Sequence, residues 1–224
     1  MPYLPGVRRF FAARKSAPLP YDAEVEWVER DMSLAWVGGT SSNNNGFRLD
    51  EYVVSDETCS NMSRRMDVIC SGASDANNAM MAWLGNSFGT LFARVGVWCR
   101  TVSGTKDVAI SFGTNPNTTS TNPPSGEFHK YSIVPDGNGT AEILVDDISL
   151  GTITTTSTAS LRYFGLLYKY ISSTSGSIRL KHLRLGSDVY LIPVKKGTQV
   201  GFYNMVDGHV FLEEQECLSA GPVV

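Results

Sequence analysis

Glu24-Val25-Glu26-Trp27-Val28-Glu29 packs three carboxylates into six residues. Two carboxyl groups about 5 Å apart are what retaining cleavage of a glycosidic bond requires, one as nucleophile and one as acid. A regular strand, however, turns Glu24 and Glu26 to one face and Glu29 to the other, so the run reads as a solvent-facing carboxylate row opposite Val25 and Trp27. His129, His182 and His209 are far apart in the chain, and no serine stands in a nucleophile-elbow setting; no triad is signalled. Asp136, Asn138, Asp146 and Asp147 offer oxygens at two turns. Calcium takes about six to eight such ligands, more than these turns supply, so they are read as turn chemistry. No cofactor or metal is expected, and calcium has no specific motif. Cys59, Cys70, Cys99 and Cys217 form no CxxC and sit near no histidine at a metal-binding spacing. They are expected as free thiols rather than two disulfides, since a core this large needs no staples. Trp83, Arg94, Trp98 and Tyr163 are the candidates for a sugar-facing surface, because aromatic rings stack on the apolar face of a sugar and arginine bonds its hydroxyls. The competing reading places Trp83 and Trp98 between two sheets, where large aromatics dominate core energetics, and that reading is preferred.

The elements that must position these residues are strands. His129, Tyr131 and Ile133 alternate with Lys130 and Ser132, Pro135-Asp136-Gly137-Asn138-Gly139 turns, and Ala141, Ile143 and Val145 alternate with Glu142 and Leu144. Asp146-Asp147 is a tight-turn pair before Ile148, Leu150 and Ile153 resume. Further strands are predicted at 47–54, 65–70, 79–84, 91–95, 97–102, 107–112, 161–168, 178–185 and 189–194, with a last hairpin turning at Asp207-Gly208. The 113–126 segment, rich in Thr, Asn, Pro and Gly, is predicted as an exposed loop or flap. No stretch sustains a helical period. The expectation is an all-β fold, a two-sheet antiparallel jelly-roll sandwich.

The chain of 224 residues is read as one domain, residues 21–224, preceded by a tail, residues 1–20. Its formal net charge is −3 and charged residues make up 18%, which gives no electrostatic case for nucleic acid. The tail has charges within and after its apolar residues, unlike a secretory signal, and no run of ~20 apolar residues marks a membrane span. Arg8, Arg9, Phe10, Phe11, Arg14 and Lys15 read either as part of a mobile terminus or as an attachment peptide that docks on a protein partner in a larger assembly.

Tyr21-Asp22-Ala23-Glu24-Val25-Glu26-Trp27-Val28-Glu29 resembles the opening of a large group of bacterial and phage proteins. Pro193-Val194-Lys195-Lys196-Gly197, Val200-Gly201-Phe202-Tyr203-Asn204, Gly208-His209-Val210-Phe211 and Gly221-Pro222 are similar to its terminal cassette. Ile143 to Thr152 resembles its hairpin, with Asp147 where glycine is common. The group is the laminin-G-like, concanavalin A-like jelly roll, and the resemblance spans residues 21–222. Leu34-Ala35-Trp36-Val37-Gly38-Gly39 departs from its usual second strand. Separately, the Glu24–Glu29 row resembles the glutamate, aspartate, glutamate signature of jelly-roll glycosidases. That resemblance implies Glu24 as nucleophile and Glu29 as acid/base. Glu26 departs from the signature, and the row falls on the first strand rather than a central one. The expectation is therefore not an enzyme but a non-catalytic binding or structural module, displayed on a phage particle or bacterial surface through its tail. The alternatives are a lectin for a surface glycan and, third, a glycosidase; such folds host all three.

Overall fold

The computed structural model describes residues 7–12, 28–29, 31–36, 46–48, 57–72, 79–86, 93–102, 105–114, 118–120, 127–169, 176–208 and 210–213. Nine strands come first: β1 (Val7–Ala12), β2 (Val28–Glu29), β3 (Met32–Trp36), β4 (Gly46–Arg48), β5 (Met66–Gly72), β6 (Ala79–Gly85), β7 (Ala93–Val102), β8 (Thr105–Thr114) and β9 (Thr118–Ser120). Eight follow: β10 (His129–Pro135), β11 (Thr140–Val145), β12 (Ile148–Thr154), β13 (Tyr163–Lys169), β14 (Gly176–Leu185), β15 (Val189–Lys196), β16 (Gln199–Asn204) and β17 (Val210–Glu213). Sheet A runs β9-β8-β7-β6-β13-β4-β1. Sheet B runs β12-β11-β10-β5-β14-β15-β16-β17-β1. Pairing is antiparallel except between β1 and β4. The expected all-β sandwich is the fold.

The core lies between the sheets and follows from period-two alternation. In β7, Ala93, Val95, Val97 and Cys99 are buried, while Arg94 and Trp98 are half-buried on the opposite face. Leu84, Val95, Val97, Ile110, Phe112, Phe164 and Leu166 of sheet A meet Val68, Cys70, Ile133, Leu180, Leu183 and Leu185 of sheet B in one cluster.

Three local results differ from the sequence expectation. Val7–Ala12, read as tail, is β1: Val7 to Arg9 pair with Gly46 to Arg48 of sheet A, and Phe10 to Ala12 pair with Glu213 to Phe211 of sheet B. One strand thus joins both sheets. The expected break between 95 and 97 is absent, and β7 is continuous through Gly96. Part of the expected 113–126 loop is β9, held on β8 through Ala109, Ile110 and Ser111.

The last structural device is a fork. β14 and β15 pair only through 183–185 and 189–191. Beyond that they splay, and β2 pairs with β15 while β3 pairs with β14. A bulge between Leu180 and His182 marks the point of divergence, as bulges bend a strand and raise its twist.

Candidate functional site

Directly opposed residues in a sheet share a face, so register assigns the outer face of sheet A, the one turned away from the core. Gly165, Trp83, Gly96 and Ser111 form one row across β13, β6, β7 and β8. Tyr163, Gly85, Arg94 and Gly113 form the next. Trp98 and Ala109 form a third. All four candidates for a sugar-facing surface, Trp83, Arg94, Trp98 and Tyr163, are therefore brought to one face by three different strands. The preferred reading, that the two tryptophans fill the space between the sheets, holds for the burial of Trp83, which is 1% exposed, but not for its side of the sheet, and Trp98 is half-buried. Trp83 alternates with Ala82 and Leu84, which are core residues, and so stands on the other side.

Two glycines seat the Trp83 ring. A Cβ at Gly165 would fall inside the indole, and one at Gly96 would lie 2.5 Å from the Ala82 carbonyl oxygen and 2.7 Å from Trp83 Cβ. The indole lies flat across the neighbouring strand and is 1% exposed. Beside it, the Arg94 guanidinium carbon stands 4.5 Å from the Trp98 ring centre, a cation–π contact. Ser111 locks this pair: its Oγ accepts from Trp98 Nε1 at 2.9 Å and from Arg94 Nε at 3.2 Å. Ser111 is 1% exposed, and two donors occupy both lone pairs of its hydroxyl. The result is a rigid cationic-aromatic cluster, half-buried at Arg94 and Trp98 and closed to solvent at Trp83 and Ser111.

The other candidates lie elsewhere. Glu24 and Glu26 fall outside the described residues. Glu29 is in sheet B, at the fork, where its Oε1 lies 2.7 Å from His182 Nε2. Tyr190 packs edge-on against His182, with its hydroxyl 3.4 Å from Nδ1. His129 pairs with Asp146 at 2.7 Å, and His209 lies outside the described residues. The two turns use their carboxylates internally. Asp136 accepts from the backbone N–H groups of Asn138 and Thr140, which hold its carboxyl below the usual range. Asp146 and Asp147 have φ of 50° and 65°, the left-handed pair of a two-residue hairpin. Burial alone would raise the Asp146 carboxyl, but hydrogen bonds from Lys130 N–H and His129 outweigh it and the net shift is downward. Cys59, Cys70 and Cys99 are buried free thiols. Burial pushes Cys59 up to about 11 and Cys99 to about 12, and raises Cys70 well above its usual value. Cys217, Arg14 and Lys15 lie outside the described residues. Of the attachment candidates, Arg8, Arg9, Phe10 and Phe11 belong to β1.

Sequence reasoning missed Ser111, Gly96 and Gly165. The glycines carried a signal, since glycine inside an apolar strand marks a close approach; Ser111 carried none beyond its alternation.

No family model and no curated protein matches the chain. Among solved structures, a Bacteroides ovatus mixed-linkage glucan GH16 protein in complex with a G4G4G3G product is similar at 12% identity, covering 73% of this chain and 86% of that one, with a TM-score of 0.41. The PL7 alginate lyase AlyA1 from Zobellia galactanivorans is similar at 16% identity (55% and 60% covered, TM-score 0.38). A Bacillus licheniformis β-glucanase is similar at 12% identity (55% and 65% covered, TM-score 0.37). The chain thus spans less than two thirds of the last two. At these identities and TM-scores the likenesses assign no residue of this chain a role. They do correct the expectation that the chain is not an enzyme, because the solved structures found are mostly lyases and glycosidases.

Proposed function

We propose that this chain is a carbohydrate-engaging jelly-roll domain that receives a glycan on the outer face of sheet A. The observation that supports this is convergence: Trp83, Arg94, Trp98 and Tyr163, spread over eighty residues of sequence, occupy adjacent rows of one face, and Ser111 fixes two of them in place. A fixed platform loses little conformational entropy when a ligand docks. Arg94, Trp98 and Tyr163, each half-buried, are the side chains a ligand would meet, while Trp83 is 1% exposed and offers it no ring face.

The test is affinity electrophoresis through immobilised polysaccharides, run beside an assay for newly released chain ends so that retention and cleavage are both read. Retention that falls at least tenfold in Trp98→Ala, with an unchanged melting temperature, supports the reading. Retention unaffected by Trp98→Ala, or no retention on any glycan, refutes it.

A further inference from the structure

We infer that Asn138 is a site of spontaneous covalent modification, where the side-chain amide is converted by water to an aspartyl or isoaspartyl carboxylate in the turn between β10 and β11. Asparagine is among the thermolabile residues, and its conversion needs the next backbone nitrogen to reach its own Cγ. A side chain on the following residue hinders that approach, and Asn138 is followed by Gly139. The turn leaves the reacting groups open. Asn138 is exposed, its Nδ2 donates to the Asp136 carbonyl over a long 3.3 Å, and its Oδ1 accepts from no partner among the described residues. The N–H groups of Asn138 and Thr140 donate to Asp136 Oδ1 at 2.8 and 2.9 Å. The Gly139 N–H between them donates to no partner among the described residues, so no hydrogen bond has to break to release the attacking nitrogen. The other described asparagines differ. Asn61 Oδ1 accepts from Thr58 N–H at 2.7 Å, Asn86 Oδ1 from Ala93 N–H at 2.9 Å, and the buried Asn204 Oδ1 from Tyr190 N–H at 2.8 Å; each is followed by a residue with a side chain.

In the reaction the Gly139 nitrogen bonds to Asn138 Cγ, the Cγ–Nδ2 bond breaks, and ammonia leaves with the proton that the Gly139 nitrogen gives up. Water then opens the cyclic imide. Cleavage of the new bond to Cγ gives aspartate; cleavage of the original peptide bond gives isoaspartate, whose chain runs through Cβ and Cγ. In sum one water is taken up and one ammonia lost, and a chain of formal charge −3 gains one negative charge. The isoaspartyl form also lengthens the backbone by a methylene at a point that is closely docked. Gly139 O accepts from Thr155 N–H at 2.7 Å, and Gly137 N–H donates to Met62 O at 3.0 Å. Even a Cβ added at Gly139 would collide with the Thr155 carbonyl oxygen. The modification therefore loosens the turn from the 57–62 and 155–157 segments that it rests on.

The experiment incubates the full chain at pH 8 and 37 °C, once native and once in urea, and follows each asparagine by peptide mass spectrometry with fragmentation that separates aspartyl from isoaspartyl products. The expected result is native conversion at Asn138 at least fivefold faster than at Asn61, Asn86 or Asn204, and within fivefold of its own rate in urea. Asn138 that stays an amide in the native chain while converting in urea shows a turn that protects it, and overturns the inference. Native conversion of Asn61, Asn86 or Asn204 at the same rate as Asn138 overturns it too. Asn138→Gln should abolish the product at this position; should that variant fold poorly, the native and urea series on the unaltered chain decide alone. The isoaspartyl fraction, isolated by anion exchange, should melt below the fresh protein, and Asn138→Asp, which adds the charge without the methylene, should lower the melting temperature by less than half as much. An equal effect of the two, or none from the isoaspartyl form, overturns the claim that the longer backbone undocks the turn.

Discussion

Gly96→Ala sets two effects of opposite sign against each other. Gly96 lies inside β7 and outside the left-handed region of φ, so alanine is conformationally allowed there. Replacing a glycine in a strand interior would by itself stabilise by about 0.5–1 kcal/mol. The added Cβ, however, would stand 2.5 Å from Ala82 O, 2.7 Å from Trp83 Cβ and 2.9 Å from Trp83 Cα. None of these is the flexible end of a side chain; relief requires β6 and β7 to part at the Trp83 row. Inserting one methylene into a packed site typically costs about 1–3 kcal/mol, and backbone contacts place this case toward the upper end. The net expectation is a loss of about 2 kcal/mol, which for a chain of this size lowers the melting temperature by about 4–8 °C. Differential scanning calorimetry measures it, with near-ultraviolet circular dichroism reporting the Trp83 environment. An unchanged or raised melting temperature would refute the claim that Gly96 is present because Trp83 needs the space.

Deleting residues 1–12 removes three residue pairs with each sheet; a loss on the order of 3 kcal/mol is expected from the backbone hydrogen bonds alone, read as a lower urea midpoint, and an unchanged midpoint would show β1 to be dispensable. Asp146 has a depressed carboxyl pKa, so the stability it adds is present above the unfolded carboxylate value of about 3.9 and is lost as pH falls through the lower folded value. Asp146→Asn should accordingly lower stability at pH 7 and flatten the acid limb, whereas parallel acid limbs would count against the assignment. Cys59, Cys70 and Cys99 should stay unlabelled by a thiol reagent at pH 8 in the native protein and react on denaturation, since they are buried and held as neutral thiols; native labelling of any of them contradicts the burial.

The hairpins from 128 to 153 were legible because each face alternates cleanly and each turn carries residues that tolerate positive φ, as Asp146 and Asp147 do. The four site candidates were legible by type, but their face was not: alternation tells that Trp83 and Leu84 point apart, while only the pairing with Gly165 and Gly96 tells which side is the core. Gly96 read as a break because glycine ends strands more often than it accommodates an indole. β1 was hidden because its partners, Gly46 to Arg48 and Phe211 to Glu213, are distant in sequence, and its proline-flanked, cationic composition looks like a terminus. The fork that takes up β2 and β3 was equally hidden, since nothing local to Val28–Trp36 encodes the splaying of β14 from β15.

The most direct test of where a ligand sits is an amide and indole chemical-shift titration of the full chain with an oligosaccharide of a polysaccharide that retains it in affinity electrophoresis. The expected perturbations centre on Trp98 Nε1–H, Gly96, Ser111 and Gly165, the rows of sheet A, with Arg94 side-chain signals moving in step. Shifts confined instead to the outer side of sheet B, around Lys130, His182 and Tyr190, would contradict the account.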